Sequence, residues 1–333
     1  RRAVGALVEL RAGARYRRVF WRGEPKVLGL GIHDKVDILR VTWPNGIVQE
    51  VTDLTSGSYV VRQREGLGGS CPFLYTWDGE QYTFISDVLG ITPLGLPMGP
   101  EMLVPPDHDE YVLIRGDQMK ARDGFFELQF TEELREVTYL DRGRLEVLDH
   151  PVGTEVYPNE LFSFPPFPEE HLHTVEAPLA PAAAADGEGR DWAEALSAID
   201  GDYAIPFEPL FGQFLGLAEQ HDLELSFDPE AVRSAERLRL VMTGWFYWTD
   251  ASVNRAAARH PDIEFMPPML SVPDGQGGWR PTGPPIGFPA GKLKTMVIDV
   301  TEILNRDDPR IRLTSTLQLY WDSIRLAVDN DQA

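Results

Sequence analysis

The sequence predicts a mainly β protein, in which a small β module is followed by a jelly-roll-like β-sandwich with a part-helical insertion. Its 333 residues include 30 glycines and 27 prolines, a composition that favours many turns and short strands over long helices. Apolar and polar side chains alternate along residues 6–10 and 16–20, with the period of two that is typical of half-buried strands. Because hydrophobic residues make up 43% of the chain, we expect packed cores rather than disorder.

Residues 1–65 are predicted to form the small β module, with four or five short strands. Gly29 and Gly31 allow sharp turns ahead of an apolar strand at residues 36–43. The run Pro44-Asn45-Gly46 then predicts a turn, since it supplies a fixed φ followed by a position that tolerates φ > 0. Residues 47–51 return as the second arm of a hairpin.

The motifs of this module resemble those of the ASPIC/UnbV family, the C-terminal module of cartilage-acidic-protein-like proteins. The matching residues are Gly29-Leu30-Gly31, Val36-Asp37 and Trp43-Pro44-Asn45-Gly46, together with the opening strand at residues 4–10. A basic run at residues 15–22 stands where the family has a polar loop. In such proteins the module usually follows a β-propeller of FG-GAP/VCBS repeats, and most of them are extracytoplasmic. The resemblance therefore implies an extracytoplasmic location and an upstream propeller partner in a longer protein, rather than an activity.

Residues 66–109 are predicted to be a β-hairpin followed by a connecting loop rich in proline and glycine. Asp78-Gly79 separates two aromatic-rich segments, which is a strong hairpin signal. The jelly-roll-like sandwich is expected over residues 110–333, with an insertion at about residues 159–235.

Short strands are expected on both sides of the insertion, and short helices within it. The strand candidates are residues 110–115, 124–131, 136–140, 144–149, 237–248, 269–272, 294–300, 310–316 and 319–328. Helices are expected at residues 191–199 and 208–219, and a third begins with Asp228 as N-cap and Pro229 in the first turn. Residues 319–326 resemble the last strand of galactose-binding-like β-sandwiches, which implies a fold of that class.

The charge distribution argues against nucleic-acid binding. The chain has a net charge of −21, yet residues 1–65 carry a net charge of +5 and the remainder −26. A surface this acidic repels phosphate backbones. The basic module is expected to pack on its acidic neighbour or to dock on an acidic partner. No apolar run is long enough for a transmembrane span, and a single cysteine, Cys71, permits no intrachain disulfide.

The aromatic run at residues 245–248 is the main candidate binding site. Consecutive strand residues point to opposite faces, so Trp245 and Tyr247 share one face while Phe246 and Trp248 share the other. One pair is expected in the core and the other on a platform for a sugar ring or an apolar partner; alternatively, all four pack in the core. The candidate binding residues are Trp245, Tyr247, Trp248, Asp250, Asn254, Trp279 and Phe288.

Calcium is the candidate cofactor, since it binds six to eight oxygens from carboxylates and carbonyls. The tightest acidic pairs are Asp107/Asp109, Asp307/Asp308 and Asp329/Asp331, and the alternative for each is a solvated acidic surface. Zinc is poorly supported. His171-Leu172-His173 is the only close histidine pair, and no Cys/His spacing indicates a structural site.

Together these features predict a non-catalytic, extracytoplasmic binding or assembly module that binds a carbohydrate or a protein through its aromatic-rich loop end. Two alternatives remain open. One is a structural cap for an upstream β-propeller. The other is a carbohydrate-active enzyme or accessory subunit, which would need a carboxylate pair about 5–10 Å apart. Motifs of serine hydrolases, zinc proteases and phosphate loops are absent from the sequence.

Overall fold

The structure is a computed structural model that describes residues 3–44, 48–62, 72–88, 97–99, 102–105, 107–131, 139–169, 171–210, 214, 216–247, 249 and 251–329. The chain divides into two compact units, Arg1–Gly68 and Gly69–Ala333. The predicted hairpin segment at residues 66–109 is thus not a unit of its own, because from Gly69 onward it belongs to the second unit. The fold is mainly β, as predicted.

The first unit is a four-stranded antiparallel sheet in the order β2-β1-β3-β4. Its strands are β1 (Leu7–Ala12), β2 (Arg15–Phe20), β3 (Lys35–Thr42) and β4 (Val48–Thr55). One face of the sheet is closed by Leu10, Leu39, Val41 and Trp43, which form a small core. Gly31 has a φ of 71°, in agreement with the turn expected there. Asn45 and Gly46 of the predicted turn lie outside the described residues.

The second unit begins with the predicted aromatic-rich hairpin. Strands β5 (Phe73–Trp77) and β6 (Tyr82–Asp87) pair around Asp78-Gly79, and β9 (Leu128–Thr131) pairs with the other side of β5. The Asp78 carboxylate accepts the backbone N–H groups of Glu80 and Gln81, while Gly79 adopts a φ of 113°. The turn thus uses both of its signature residues.

Short strands surround this hairpin and the main sandwich in antiparallel pairs. The pairs are β7 (Pro97–Gly99) with β8 (Met102–Leu103), β10 (Thr154–Tyr157) with β12 (His173–Glu176), and β11 (Leu161–Phe162) with β18 (Phe288–Pro289).

Two larger antiparallel sheets form the β-sandwich. The first has the order β13-β14-β20-β16-β17, with β13 (Ala183–Asp186), β14 (Leu217–Ser226), β16 (Met269–Pro273), β17 (Trp279–Pro281) and β20 (Arg310–Leu317). The second has the order β19-β15-β21, with β15 (Arg237–Phe246), β19 (Lys294–Asp299) and β21 (Leu319–Asp329). The core between the sheets includes Leu223, Leu225, Leu238, Leu240, Met242, Ile311, Leu313, Ile324 and Leu326. Each buried side chain of this size contributes roughly 1.5–3 kcal/mol.

The three-stranded sheet is buried on both faces. On the side away from the main core, Val241, Val297 and Ala327 pack against Tyr157 and Val175 of the β10–β12 pair. This explains why β15 is buried at every position from Leu238 to Trp245 instead of at alternate positions.

The predicted insertion contributes directly to the sandwich. Its described residues include β11 to β14, and β14 pairs along its length with β20. The only described helix within residues 159–235 is α1 (Pro229–Val232), where the Asp228 carboxylate accepts the N–H of Glu230. A second helix, α2 (Ala251–Ala257), follows β15.

Two expected helices and two expected strands differ from the structure. Residues 191–199 form turns instead of a helix, and the helix expected at residues 208–219 overlaps the start of β14. Residues 110–115 and 144–149 belong to no described strand. Most of the expected strand at residues 136–140 lies outside the described residues. Periodicity alone could not identify these segments, because strand formation also requires a neighbouring chain.

Candidate functional site

Trp245 lies at the end of β15, buried at the centre of an aromatic cluster. The register of β15 with β21 places it opposite Tyr320, and the two rings stack with centroids 4.0 Å apart and planes 4° apart. Tyr203 and Tyr247 flank the same indole, each with its ring centroid 6.2 Å away. The strand therefore brings Trp245 and Tyr247 together as their shared face predicts, whereas Tyr203 and Tyr320 come from distant parts of the sequence.

A buried lysine completes the surroundings of the indole. The Nζ of Lys292 lies 5.5 Å from the ring centroid of Trp245 and 5.6 Å from that of Phe73, so the cation contacts two aromatic rings. The backbone N–H of Lys292 donates to Asp87 (2.5 Å), and the Ser86 hydroxyl donates to the Lys292 carbonyl (2.6 Å). These contacts tie the β6 strand to the aromatic cluster.

An acidic loop lies beside the same cluster. The buried carboxylate of Asp322 accepts the backbone N–H groups of Asp200 (3.1 Å) and Gly201 (2.9 Å), which holds the loop in place. Burial raises the pKa of Asp322 above its ordinary value. Burial, together with the charge of Asp322, also raises the pKa of Tyr203 to about 12, so this phenol remains a hydrogen-bond donor across the physiological range.

Three tyrosines of this cluster remain partly accessible to solvent: Tyr203, Tyr247 and Tyr320. We refer to them as the tyrosine rim. Each combines an aromatic ring with a hydroxyl. Asp200 and Asp202, which precede Tyr203 in the loop held by Asp322, have exposed carboxylates. This combination can stack on a ring-shaped ligand and hydrogen-bond its polar substituents.

The other predicted binding residues do not join the rim. Phe288 is buried against Phe162, with ring centroids 4.7 Å apart, and against Phe246 at 5.1 Å; it is a core residue, because its strand β18 is enclosed by the sandwich. Asn254 is buried in α2. Trp245 is also too deeply buried to serve as an open platform, since Tyr320 covers its ring. Trp248 and Asp250 lie outside the described residues.

Trp279 forms a separate contact on the five-stranded sheet. The guanidinium carbons of Arg312 and Arg310 lie 4.5 Å and 5.7 Å from its ring centroid. Arg312 in turn pairs with Glu224 and lies 3.6 Å from Asp222. The indole is thus engaged with cations of its own sheet, at a different place from the tyrosine rim.

The predicted calcium ligands are occupied by local contacts. Asp107 accepts the N–H of Asp109 (3.1 Å), Asp308 pairs with Arg310 at 2.6 Å, and Asp329 pairs with Arg239. Asp307 lies 3.8 Å from Arg233, and Asp331 falls outside the described residues. Within the described ranges, no group of three or more histidine, cysteine, aspartate or glutamate residues is placed to hold a metal ion.

A buried ionic cluster is a feature that sequence reasoning missed. The side chain of Lys294 is fully buried, and its Nζ lies 3.0 Å from the carboxylate of Glu110, whose side chain is 8% exposed. The buried carboxylate of Glu160 accepts the N–H groups of Thr295 and Leu113. Burial raises the pKa of Glu160. Burial alone would lower the pKa of Lys294, but the carboxylates of Glu110 and Glu160 raise it above its usual value.

Comparison of the chain with protein-family models, curated proteins and solved structures finds no match in any of the three. The resemblance of residues 1–65 to the ASPIC/UnbV family therefore stays a prediction, as does that of residues 319–326 to galactose-binding-like sandwiches. In the part of the chain that the structure describes, no helix is long and apolar enough to cross a membrane.

Proposed function

We propose that the chain is a non-catalytic, extracytoplasmic binding module whose tyrosine rim binds a neutral carbohydrate. The observation that carries the proposal is the arrangement of Tyr203, Tyr247 and Tyr320 around one buried indole, with carboxylates beside them. The extracytoplasmic location rests on the resemblance of the first unit alone.

The chemistry of the rim suits a sugar. A pyranose ring presents C–H groups on its faces and hydroxyls around its edge. Aromatic side chains bury the former, while phenol hydroxyls and carboxylates hydrogen-bond the latter. Because Trp245 packs against all three tyrosines, their side chains lose little freedom on binding, which favours affinity.

The charge of the chain narrows the class of ligand. Residues 66–333 carry a net charge of −26, and Asp200 and Asp202 lie at the rim itself. Acidic sugars and phosphate esters would be repelled by this field. Neutral monosaccharides and oligosaccharides are therefore the expected ligands.

A thermal-shift and calorimetric screen against neutral sugars tests the proposal. A ligand present at 100 times its Kd stabilises the native state by about 2.7 kcal/mol, which is roughly 5–10 °C in a unit of this size. Tyr203→Ala and Tyr247→Ala should reduce the shift, whereas Tyr139→Ala, an exposed tyrosine elsewhere in the same unit, should leave it unchanged. No shift with any sugar would overturn the carbohydrate proposal.

A second candidate function, assembly, is favoured by exposed apolar side chains on the first unit. Val27 and Ile32 are 98% and 97% exposed, and Phe20 projects from the edge strand β2. Exposed apolar side chains of this size are typical of interaction surfaces when they form a patch. These side chains would be contact residues of a structural cap on the upstream propeller that the ASPIC/UnbV resemblance implies.

Hydrogen exchange of the backbone amides tests whether a propeller covers these residues of the first unit. If a longer natural chain carries the propeller, residues 20–32 should exchange more slowly in it than in the 333-residue chain. Ile32→Ser should reverse that protection, while Val152→Ser, an equally exposed residue of the second unit, should not. Equal exchange in both chains would remove the cap hypothesis.

A further inference from the structure

Two histidines lie side by side at the start of β12. His173 is the first residue of β12, and His171 precedes it by two positions, just outside the strand. Their ring centroids are 4.5 Å apart, with ring planes at 75°. The side chain of His171 is exposed, whereas that of His173 is partly buried.

His173 has a buried nitrogen without a protein partner. Its Nδ1 atom is inaccessible to water and makes no hydrogen bond with any residue that the structure describes. A buried polar atom without a hydrogen bond carries a desolvation cost, so its presence calls for an explanation such as a bound water or ion. Neutral imidazole nitrogen is the commonest protein ligand for transition metals.

The backbone under the two rings is firmly held. β12 pairs with β10, which places His173 opposite Tyr157. On the other side, Arg239 donates to the carbonyl of Thr174 (2.7 Å). His173 therefore offers a fixed nitrogen, and the exposed ring of His171 is free to rotate toward it.

The nearby charges do not exclude a cation. Two arginines lie close to His173 and their charges disfavour a cation there, but each is paired with a carboxylate. Arg237 donates to Asp299 at 2.9 Å, and Arg239 pairs with Asp329.

We propose that His171 and His173 form a two-imidazole site for a divalent transition metal, with Cu²⁺ preferred. In the bound state that we propose, the exposed ring of His171 turns so that the ion reaches the Nδ1 of His173, which is closed to water in the free chain. Two nitrogen ligands completed by water then suit the tetragonal geometry of Cu²⁺, and affinities for nitrogen sites increase from Ni²⁺ to Cu²⁺ and decrease again at Zn²⁺. A closed structural zinc site would need four protein ligands, and no third histidine, cysteine or carboxylate is placed here among the described residues. The site is independent of the tyrosine rim.

Copper titration of the whole chain tests the site. Calorimetry with CuCl₂ should reveal a site filled by one ion per chain, and electron paramagnetic resonance should show coupling to nitrogen. Ni²⁺ and Zn²⁺ should each bind more weakly than Cu²⁺. Ca²⁺ requires oxygen ligands, so it should not compete with Cu²⁺ for the site.

Variants assign the ligands. Both His171→Ala and His173→Ala should weaken copper binding by about 10–100-fold or more, since even changes outside the ligand shell have effects of that size. His150→Ala is the matched control, because His150 is exposed elsewhere in the second unit. His171 is exposed, so its variant should keep the native melting temperature even if His173→Ala does not fold. Absence of copper binding, or copper binding unchanged in His171→Ala, would overturn the proposal.

Discussion

Replacing Lys294 with methionine tests whether the buried ionic cluster holds the second unit together. The Lys294 side chain is fully buried, and its Nζ lies 3.0 Å from Glu110. Methionine has a similar volume, so the change removes the charge without opening a large cavity. The carboxylates of Glu110 and Glu160 would then lack their buried cation, and breaking such a pair costs about 3–5 kcal/mol.

The assay is urea denaturation of the whole chain, with the melting temperature as a second readout. For a unit of this size the loss corresponds to roughly 6–20 °C. The matched control is Glu146→Gln in the exposed Arg144–Glu146 pair, whose atoms lie 2.9 Å apart; it should change stability by no more than about 0.5 kcal/mol.

A double substitution distinguishes the stability lost with the ion pair from the stability lost through altered packing. In Lys294→Met combined with Glu110→Gln, one uncompensated charge is gone, so the combined loss should be smaller than the sum of the single losses. A loss below about 1 kcal/mol in Lys294→Met alone would refute the burial of this cluster and the argument built on it.

Four further predictions concern other parts of the chain. Gly31→Val should destabilise the first unit by about 1–3 kcal/mol in urea, because its φ is 71°, whereas Gly29→Ala, with open space around it, should be tolerated. Trp245→Ala should cost about 3–5 kcal/mol of unfolding free energy as a core truncation. Burial lowers the pKa of His221, so the unfolded state binds its proton more readily. Stability should therefore be full above about pH 6.5 and decrease as the pH falls, with a smaller decrease in His221→Gln. If a structural calcium ion exists, EDTA should lower the melting temperature, and an unchanged value in calcium-stripped buffer would remove that hypothesis.

Local signals in the sequence were sufficient where both partners of an interaction are close in the chain. Asp228 and Pro229 predicted a helix start, and Asp228 does accept the N–H of Glu230. Asp78-Gly79 predicted a hairpin, and the turn is formed by those two residues. Both motifs act through contacts within a few residues, so no knowledge of the rest of the fold is needed.

Elements that depend on distant partners were not predictable in the same way. Residues 191–199 were expected to be helical, yet Asp186 binds the indole of Trp192 (2.9 Å) and the guanidinium of Arg190 (2.6 Å), and the segment forms turns. The sequence did not predict the ionic cluster, because nothing near Lys294 in the chain distinguishes it from an ordinary polar residue of a strand. Its burial results from the fold, and the approach of Glu110, far away in the chain, favours its charged form there.

The candidate site shows the same division. Alternation along the strand correctly associates Trp245 with Tyr247, whose rings lie 6.2 Å apart, but nothing in that run reveals Tyr203 or Tyr320. Tyr203 lies in the loop held by Asp322, and Tyr320 is placed beside Trp245 by the pairing of β15 with β21. The pattern could therefore locate the cluster, whereas the identity of its accessible members required the fold.

Trp245 is buried and Tyr247 is partly accessible, so substitutions at these two residues can distinguish an effect on sugar binding from an effect on stability. Trp245 is enclosed by Tyr320 and Lys292, so its truncation should remove the support of the whole rim and reduce stability and ligand binding together. Tyr247 is only half-buried, so Tyr247→Phe should remove a hydroxyl while keeping the ring in place. If a sugar binds at the rim, this variant should weaken sugar binding beyond any change in unfolding free energy, which urea denaturation measures separately. If the cluster is packing alone, the parent chain should bind no sugar, and Tyr247→Phe can change only the unfolding free energy.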